Sequence, residues 1–143
     1  MDNQISKNFY LSEFACRCGC ETPFKVEPSL VTLLQNIRTR IGQGLYISSG
    51  CRCPEHNASV SGAKKSWHIP RDGVLYAADV MFYDPTNRNE RSALWLYALA
   101  ESIGQPGGLG LYNNRVHIDQ RPVGIMKGQD RKRWLDKGFK PPL

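Results

Sequence analysis

At 143 residues and 16.1 kDa, with 41% hydrophobic and 22% charged residues, the chain reads as one globular domain over residues 1–143, able to bury a core without disulfide staples. No apolar run reaches the length that a bilayer demands, which excludes a helical membrane span. The net charge of +6 is concentrated at one end: residues 115–143 hold eight Lys and Arg against Asp119, Asp130 and Asp136, a balance that favours an anionic partner.

The first seven residues, MDNQISK, show neither the basic start nor the apolar stretch of a secretory signal, so the expected location is the cytoplasm until something else releases the protein. Glu27 and Pro28 mark a helix start, and Leu30, Leu33, Leu34, Ile37 and Ile41 recur at helical spacing until Gly42 stops the run. A strand is expected at Leu45 to Ser48, followed from Ser49 by Gly, Cys, Pro, Asn and Ser residues that read as loop. Tyr76 to Tyr83 is an aromatic and apolar run that reads as a strand ending at Asp84-Pro85, with Asp79 the single charge in its middle. Asn87 and Glu90 have capping-box spacing, and Ala93, Leu94, Tyr97, Ala98 and Ile103 supply the apolar face of a second helix that ends at Gly104. Leu109 to Tyr112 and Arg115 to Asp119 flank Asn113-Asn114, a pair that tolerates positive φ in a hairpin turn. Gln129 to Asp136 is compatible with one or two helical turns.

Three residues in these segments are of the types that hold zinc. A catalytic zinc takes three protein ligands, imidazole nitrogens and carboxylate oxygens among them, and leaves a fourth position for water or substrate. His68, Asp79 and His117 can supply that set. The third histidine of the chain, His56, reads as a loop residue, and Trp95 and Trp134 as packing residues. Cys16, Cys18, Cys20, Cys51 and Cys53 form C-x-C-x-C and C-x-C segments that lie close together in space. Buried reduced thiols, a disulfide between the segments and a second, thiolate-ligated zinc compete to explain them. The odd count and the missing signal weigh against a disulfide framework, and C-x-C is not the usual zinc-knuckle spacing, which puts reduced thiols first.

Four segments in order, NFYLSEFACRCGC, ISSGCRCPEHNASVSGAKKSWH, YAADV and GGLGLYNNRVHID, resemble the D-alanyl-D-alanine carboxypeptidase and endolysin group of zinc peptidases, whose fold is shared with the hedgehog signalling domain. Ser66-Trp67-His68, Ala77-Ala78-Asp79 and His117-Ile118-Asp119 match that group's metal-site segments in turn. The resemblance implies an α+β fold, with a central, mainly antiparallel sheet carrying one zinc on His68, Asp79 and His117 and helices packed on the far side. Arg52, within Ser49-Gly50-Cys51-Arg52, is implied to face the substrate and hold its carboxylate or the developing oxyanion. Ser66 and Trp67 are placed on the substrate cleft.

Two features depart from the pattern. Ten residues separate His68 from Asp79, more than in relatives, and Arg71 to Val74 read as an inserted loop. Lengthening a loop is cheap, about 0.6 kcal/mol per doubling. Where relatives have an acid, three residues before the last histidine, this chain has Asn114, which cannot take a proton from water. Asp119 lies on the same strand face as His117 and is nominated as the base or as the carboxylate that orients His117. The implied activity is zinc-dependent hydrolysis of peptidoglycan stem peptides, by a D-Ala-D-Ala carboxypeptidase or an endolysin-type endopeptidase of phage or prophage origin. A catalytically inactive zinc-containing wall or virion binding module is the alternative. No nucleic-acid motif is present, so nucleic acid is not the expected partner.

Overall fold

The computed structural model describes residues 2–82, 90–123 and 131–140. Near the N-terminus a 3-10 turn at Leu11–Phe14 seats Phe14 in the core, and β1 (Lys25–Val26) leads into α1 (Pro28–Ile41). The helix begins and ends at its sequence signals, with the Glu27 side chain accepting from the Ser29 amide and Gly42 closing the last turn. Leu30, Leu33, Leu34 and Ile37 are its buried stripe, as their spacing predicts. After β2 (Leu45–Ser49), the expected loop contains a short helix, α2 (Pro54–Ser59). Its composition hides it, because Pro54 sits in the first turn, where its missing N–H costs nothing, and Asn57 is used inward, its amide donating to the Ala63 carbonyl.

β3 (Val74–Leu75) precedes β4 (Ala77–Phe82), so the strand expected from Tyr76 to Tyr83 is present, while its Asp84-Pro85 end and the Asn87 cap lie outside the described residues. The inserted stretch folds into a tight turn. Arg71 and Val74 exchange backbone hydrogen bonds, and Asp72 and Gly73 between them both have positive φ, 53° and 77°, the conformation that Asp-Gly favours. β3 then pairs in parallel with β1 as a small second sheet.

α3 (Glu90–Gly104) buries Ala93, Leu96 and Ala100. Leu94 is exposed and Ala98 faces out, so the inward stripe is rotated from the predicted one, with Leu96 as its large residue. β5 (Gly108–Leu111), β6 (Val116–Asp119) and β7 (Lys132–Leu135) complete the main sheet, in the order β2-β4-β6-β5-β7. Every neighbouring pair is antiparallel except β5 and β7. β7 corrects the helical turns expected at Gln129 to Asp136. The hairpin between β5 and β6 is present, but neither Asn113 nor Asn114 uses positive φ; among the described residues, Ser61, Asp72 and Gln105 are the non-glycines that do.

The two faces of the main sheet have different tasks. Ala78, Val80, Leu109, Leu111, Val116 and Ile118 point to the core with α1 and α3, while the alternating positions Ala77, Asp79, Gly108, Gly110, His117 and Asp119 point the other way. No helix among the described residues is long and apolar enough to cross a membrane.

β5 is thin on that second face for a steric reason. A Cβ on Gly110 would stand 2.2 Å from the Trp134 indole, which donates to the Tyr112 hydroxyl at 3.2 Å. Gly110→Ala is therefore expected to lower stability by about 1–3 kcal/mol, the usual cost of overpacking. A shifted denaturant midpoint with a changed tryptophan emission checks this; an unchanged midpoint means the indole yields freely.

Candidate metal centre

Strand register assembles two thirds of the site. Asp79 on β4 pairs directly with His117 on β6, and Ser49, Gly110 and Trp134 complete the same row across β2, β5 and β7. Two positions along, Asp119 pairs with Ala77 and Gly108. Side chains of such rows share a face, so Asp79 and His117 meet because the pairing is in this register and no other.

His68 comes from the connection between α2 and β3 and is held by backbone contacts. Its amide donates to Ser66 Oγ at 3.1 Å, its carbonyl accepts from the Arg52 amide at 2.8 Å, and its Nδ1 lies 2.7 Å from the Gly50 carbonyl. A carbonyl only accepts, so Nδ1 carries the proton and Nε2 presents a lone pair. His117 is set in the opposite sense: Nε2 lies 2.7 Å from Asp119 Oδ2 and donates to it, leaving Nδ1 as the lone pair.

The free atoms converge. His68 Nε2 and His117 Nδ1 each lie 3.1 Å from Asp79 Oδ1 and 3.2 Å from one another. With both imidazoles neutral in these tautomers, three buried acceptors face each other with nothing to donate among them, an arrangement that a cation resolves. Ligands about 2.0–2.1 Å from a tetrahedral zinc stand roughly 3.3 Å apart, so the spacing fits that ion without rearrangement. Asp79 Oδ2 turns the other way, toward Arg52 at 3.5 Å and Arg115 at 3.6 Å.

The electrostatics agree with the geometry. Burial disfavours charge on Asp79, but the imidazoles of His68 and His117 outweigh it and hold its carboxyl well below the usual range. For His117, burial opposes the cation, and the carboxylates of Asp119 and Asp79 prevail and raise it. Asp119 is buried as well, yet Arg121 and His117 lower its carboxyl: the Arg121 guanidinium donates through Nε at 2.8 Å and Nη2 at 2.7 Å, and the Arg121 amide adds a third bond at 3.0 Å.

The three donor atoms open onto a cavity of about 610 Å³. Arg52, Ser66 and Trp67 line it, and the Arg71 guanidinium stacks 3.3 Å over the Trp67 ring, so the inserted turn buttresses the wall. Asp119 does not reach the cavity. Fully buried behind His117 and clamped by Arg121, it is placed to orient the imidazole and is not among the residues that a substrate in the cavity would meet. His56, on α2, is not among the converging residues.

Lys65, Tyr112, Arg115, Arg121, Trp134 and Asp136 also line the cavity and were not anticipated. Arg115 was within reach of the reasoning that found Asp119, since positions 115, 117 and 119 alternate onto one face of β6. Trp134, expected to pack, does pack beside the His117 ring at 5.0 Å between centroids, and it walls the cavity as well.

Two imidazoles and a carboxylate, one imidazole on a connection and the other two groups on the sheet, with a side open to a polar cavity, could hold one metal ion with a position left for water or substrate. The family profile described as Peptidase M15 matches residues 7–119, and the chain belongs to that family of zinc-dependent peptidases. No curated protein matches the sequence.

Proposed function

We propose that this peptidase hydrolyses amide bonds of peptidoglycan stem peptides, as a D-Ala-D-Ala carboxypeptidase or endolysin-type endopeptidase, with zinc on His68, Asp79 and His117. The observation that carries this reading is the charge of the cavity wall: Arg52, Lys65, Arg115 and Arg121 surround the three donor atoms, and stem peptides present free carboxylates. Arg52 and Arg115 face Asp79; Arg52 also donates to Ser49 Oγ and Asn57 Oδ1, and Arg115 to Asn114 Oδ1, which leaves each guanidinium the remaining hydrogens of its Nη groups for a substrate carboxylate.

A zinc bound here would polarise the scissile carbonyl and lower the pKa of its water. The residues of the chain do the rest. Asp119 and the Gly50 carbonyl keep both imidazoles in the metal-binding tautomer, and Trp67 and Trp134 bound the cleft. Among the described cavity-lining residues Asp136 is the carboxylate that the trio does not use, and we assign it the proton-accepting role vacated by Asn114.

Purified sacculi provide the test. Release of D-alanine or stem-peptide fragments is expected, abolished by a chelator and restored by zinc. Asp136→Asn should lower kcat by about 10²–10⁴-fold with zinc content unchanged. Zinc-loaded protein that binds sacculi of every wall chemotype and releases nothing would make the chain a binding module.

A further inference from the structure

Cys16, Cys18, Cys20 and Cys53 carry their Sγ atoms within 4.8 Å of one another, a cluster that shares no residue with the peptidase trio. Cys16 and Cys18 sulfurs are 3.4 Å apart, and those of Cys18 and Cys53 are 3.7 Å apart. Thiolates about 2.3 Å from a tetrahedral zinc stand roughly 3.8 Å from each other, so these separations are of the size that a four-thiolate zinc needs. Cys51 is not one of them; it is buried in the hydrophobic core.

We propose that Cys16, Cys18, Cys20 and Cys53 form a second, structural metal site that takes zinc through four thiolates.

Exposure argues against a purely packing role. A reduced cysteine behaves as a small hydrophobe and buries itself, yet Cys18 and Cys20 are exposed and turn toward the buried pair. They sit in residues 15–24, a stretch with no helix or strand of its own to hold it. Gly19, at φ 82°, curls this stretch so that an unusual C-x-C-x-C spacing brings three sulfurs to one point. Backbone amides are aimed at the sulfurs as well: those of Cys53, Cys20 and His56 donate to Cys16, Cys18 and Cys53 at 3.4, 3.4 and 3.3 Å. Amide donors of this kind stabilise thiolate charge in metal sites.

Four protein ligands leave no open position, so this ion would be structural. Its effect is to staple the N-terminal segment to residues 49–53. The Cys51 amide already donates to the Phe14 carbonyl at 2.7 Å, and this same strip supplies Arg52 and the Gly50 carbonyl that orients His68. The staple therefore supports the peptidase centre without touching it.

Elemental analysis of protein purified under reducing conditions is expected to find two zinc ions per chain. His117→Ala should retain one, and so should the double variant Cys18→Ser with Cys20→Ser, whose exposed side chains leave the core intact. Loading metal-free protein with cobalt(II) gives an independent reading: wild type and His117→Ala should show strong near-ultraviolet sulfur-to-metal charge transfer, and the double cysteine variant should lose it. One zinc per chain that disappears with His117→Ala, cobalt-loaded wild type without the thiolate band, or a disulfide between Cys53 and any of Cys16, Cys18 and Cys20 in the native protein would each overturn the site. Loss of zinc in His117→Ala alone tests the peptidase centre separately, so the two assignments stand or fall apart.

Discussion

Asp79→Ala is expected to strip the peptidase centre of zinc and to reduce hydrolysis by on the order of 10³-fold or more. The size follows from what Asp79 does at both ends of its carboxylate. Oδ1 is the point on which both imidazole lone pairs converge, and Oδ2 faces two guanidinium groups. With alanine there, two neutral nitrogens remain beneath Arg52 and Arg115, a cluster with too few donors and a positive field that repels a divalent ion. Zinc content and activity should fall together. Asp79→Asn, which keeps the shape and loses the charge, should also lose most of the metal. Full zinc occupancy in either variant, beyond any thiolate-bound ion, would mean that the ion sits elsewhere.

Asp119→Ala ranks second, and its effect divides between binding and stability. Removing the acceptor of the His117 Nε2 proton frees the imidazole to rotate and to change tautomer, which typically costs 10–100-fold in metal affinity. It also leaves the partly buried Arg121 guanidinium without its carboxylate partner, a loss of about 1–3 kcal/mol. The pH dependence has a definite sign. The folded-state carboxyl is depressed below its ordinary value of 3.8, so its stabilising contribution is present above that pH and is lost as the pH falls through the folded value. Wild type and Asp119→Asn should therefore differ most near neutrality, begin to approach one another only below about pH 4 and meet only once the pH has fallen through the depressed folded-state value. Parallel unfolding curves at all pH values would show that the carboxylate charge is not what matters at this position.

Much of the fold was legible because the relevant signals are local. α1 is bounded by Glu27-Pro28 and Gly42 and striped with leucines, and Asp79 stands out as a lone charge in an apolar run. The tertiary readings failed where the deciding partner lies far along the chain. Lys132–Leu135 carries no clean alternation, and it becomes a strand by pairing with β5, where Gly110 leaves room for Trp134. α2 is concealed by proline, asparagine and serine, residues that elsewhere make loops. Leu94 and Leu96 both fit a helical stripe within the error of the pattern, and only the sheet beneath decides between them. For Asp119, alternation gave the correct face, but a face does not say whether the carboxylate looks into the cavity or behind the imidazole. The cysteines could be grouped by spacing; their convergence needed a left-handed glycine and the fold of the Ser49-to-Cys53 strip.

Two metal donors sit on paired strands and the third on a connection held by its bonds to Ser66, Gly50 and Arg52, so the centre has a half set by strand pairing and a half set by a loop. Asp79 and His117 are as durable as the hydrogen-bond ladder between β4 and β6. His68 is only as well placed as the segment that bears it. Ion occupancy should thus be felt as slower amide exchange around residues 60–70, with the central strands scarcely changed.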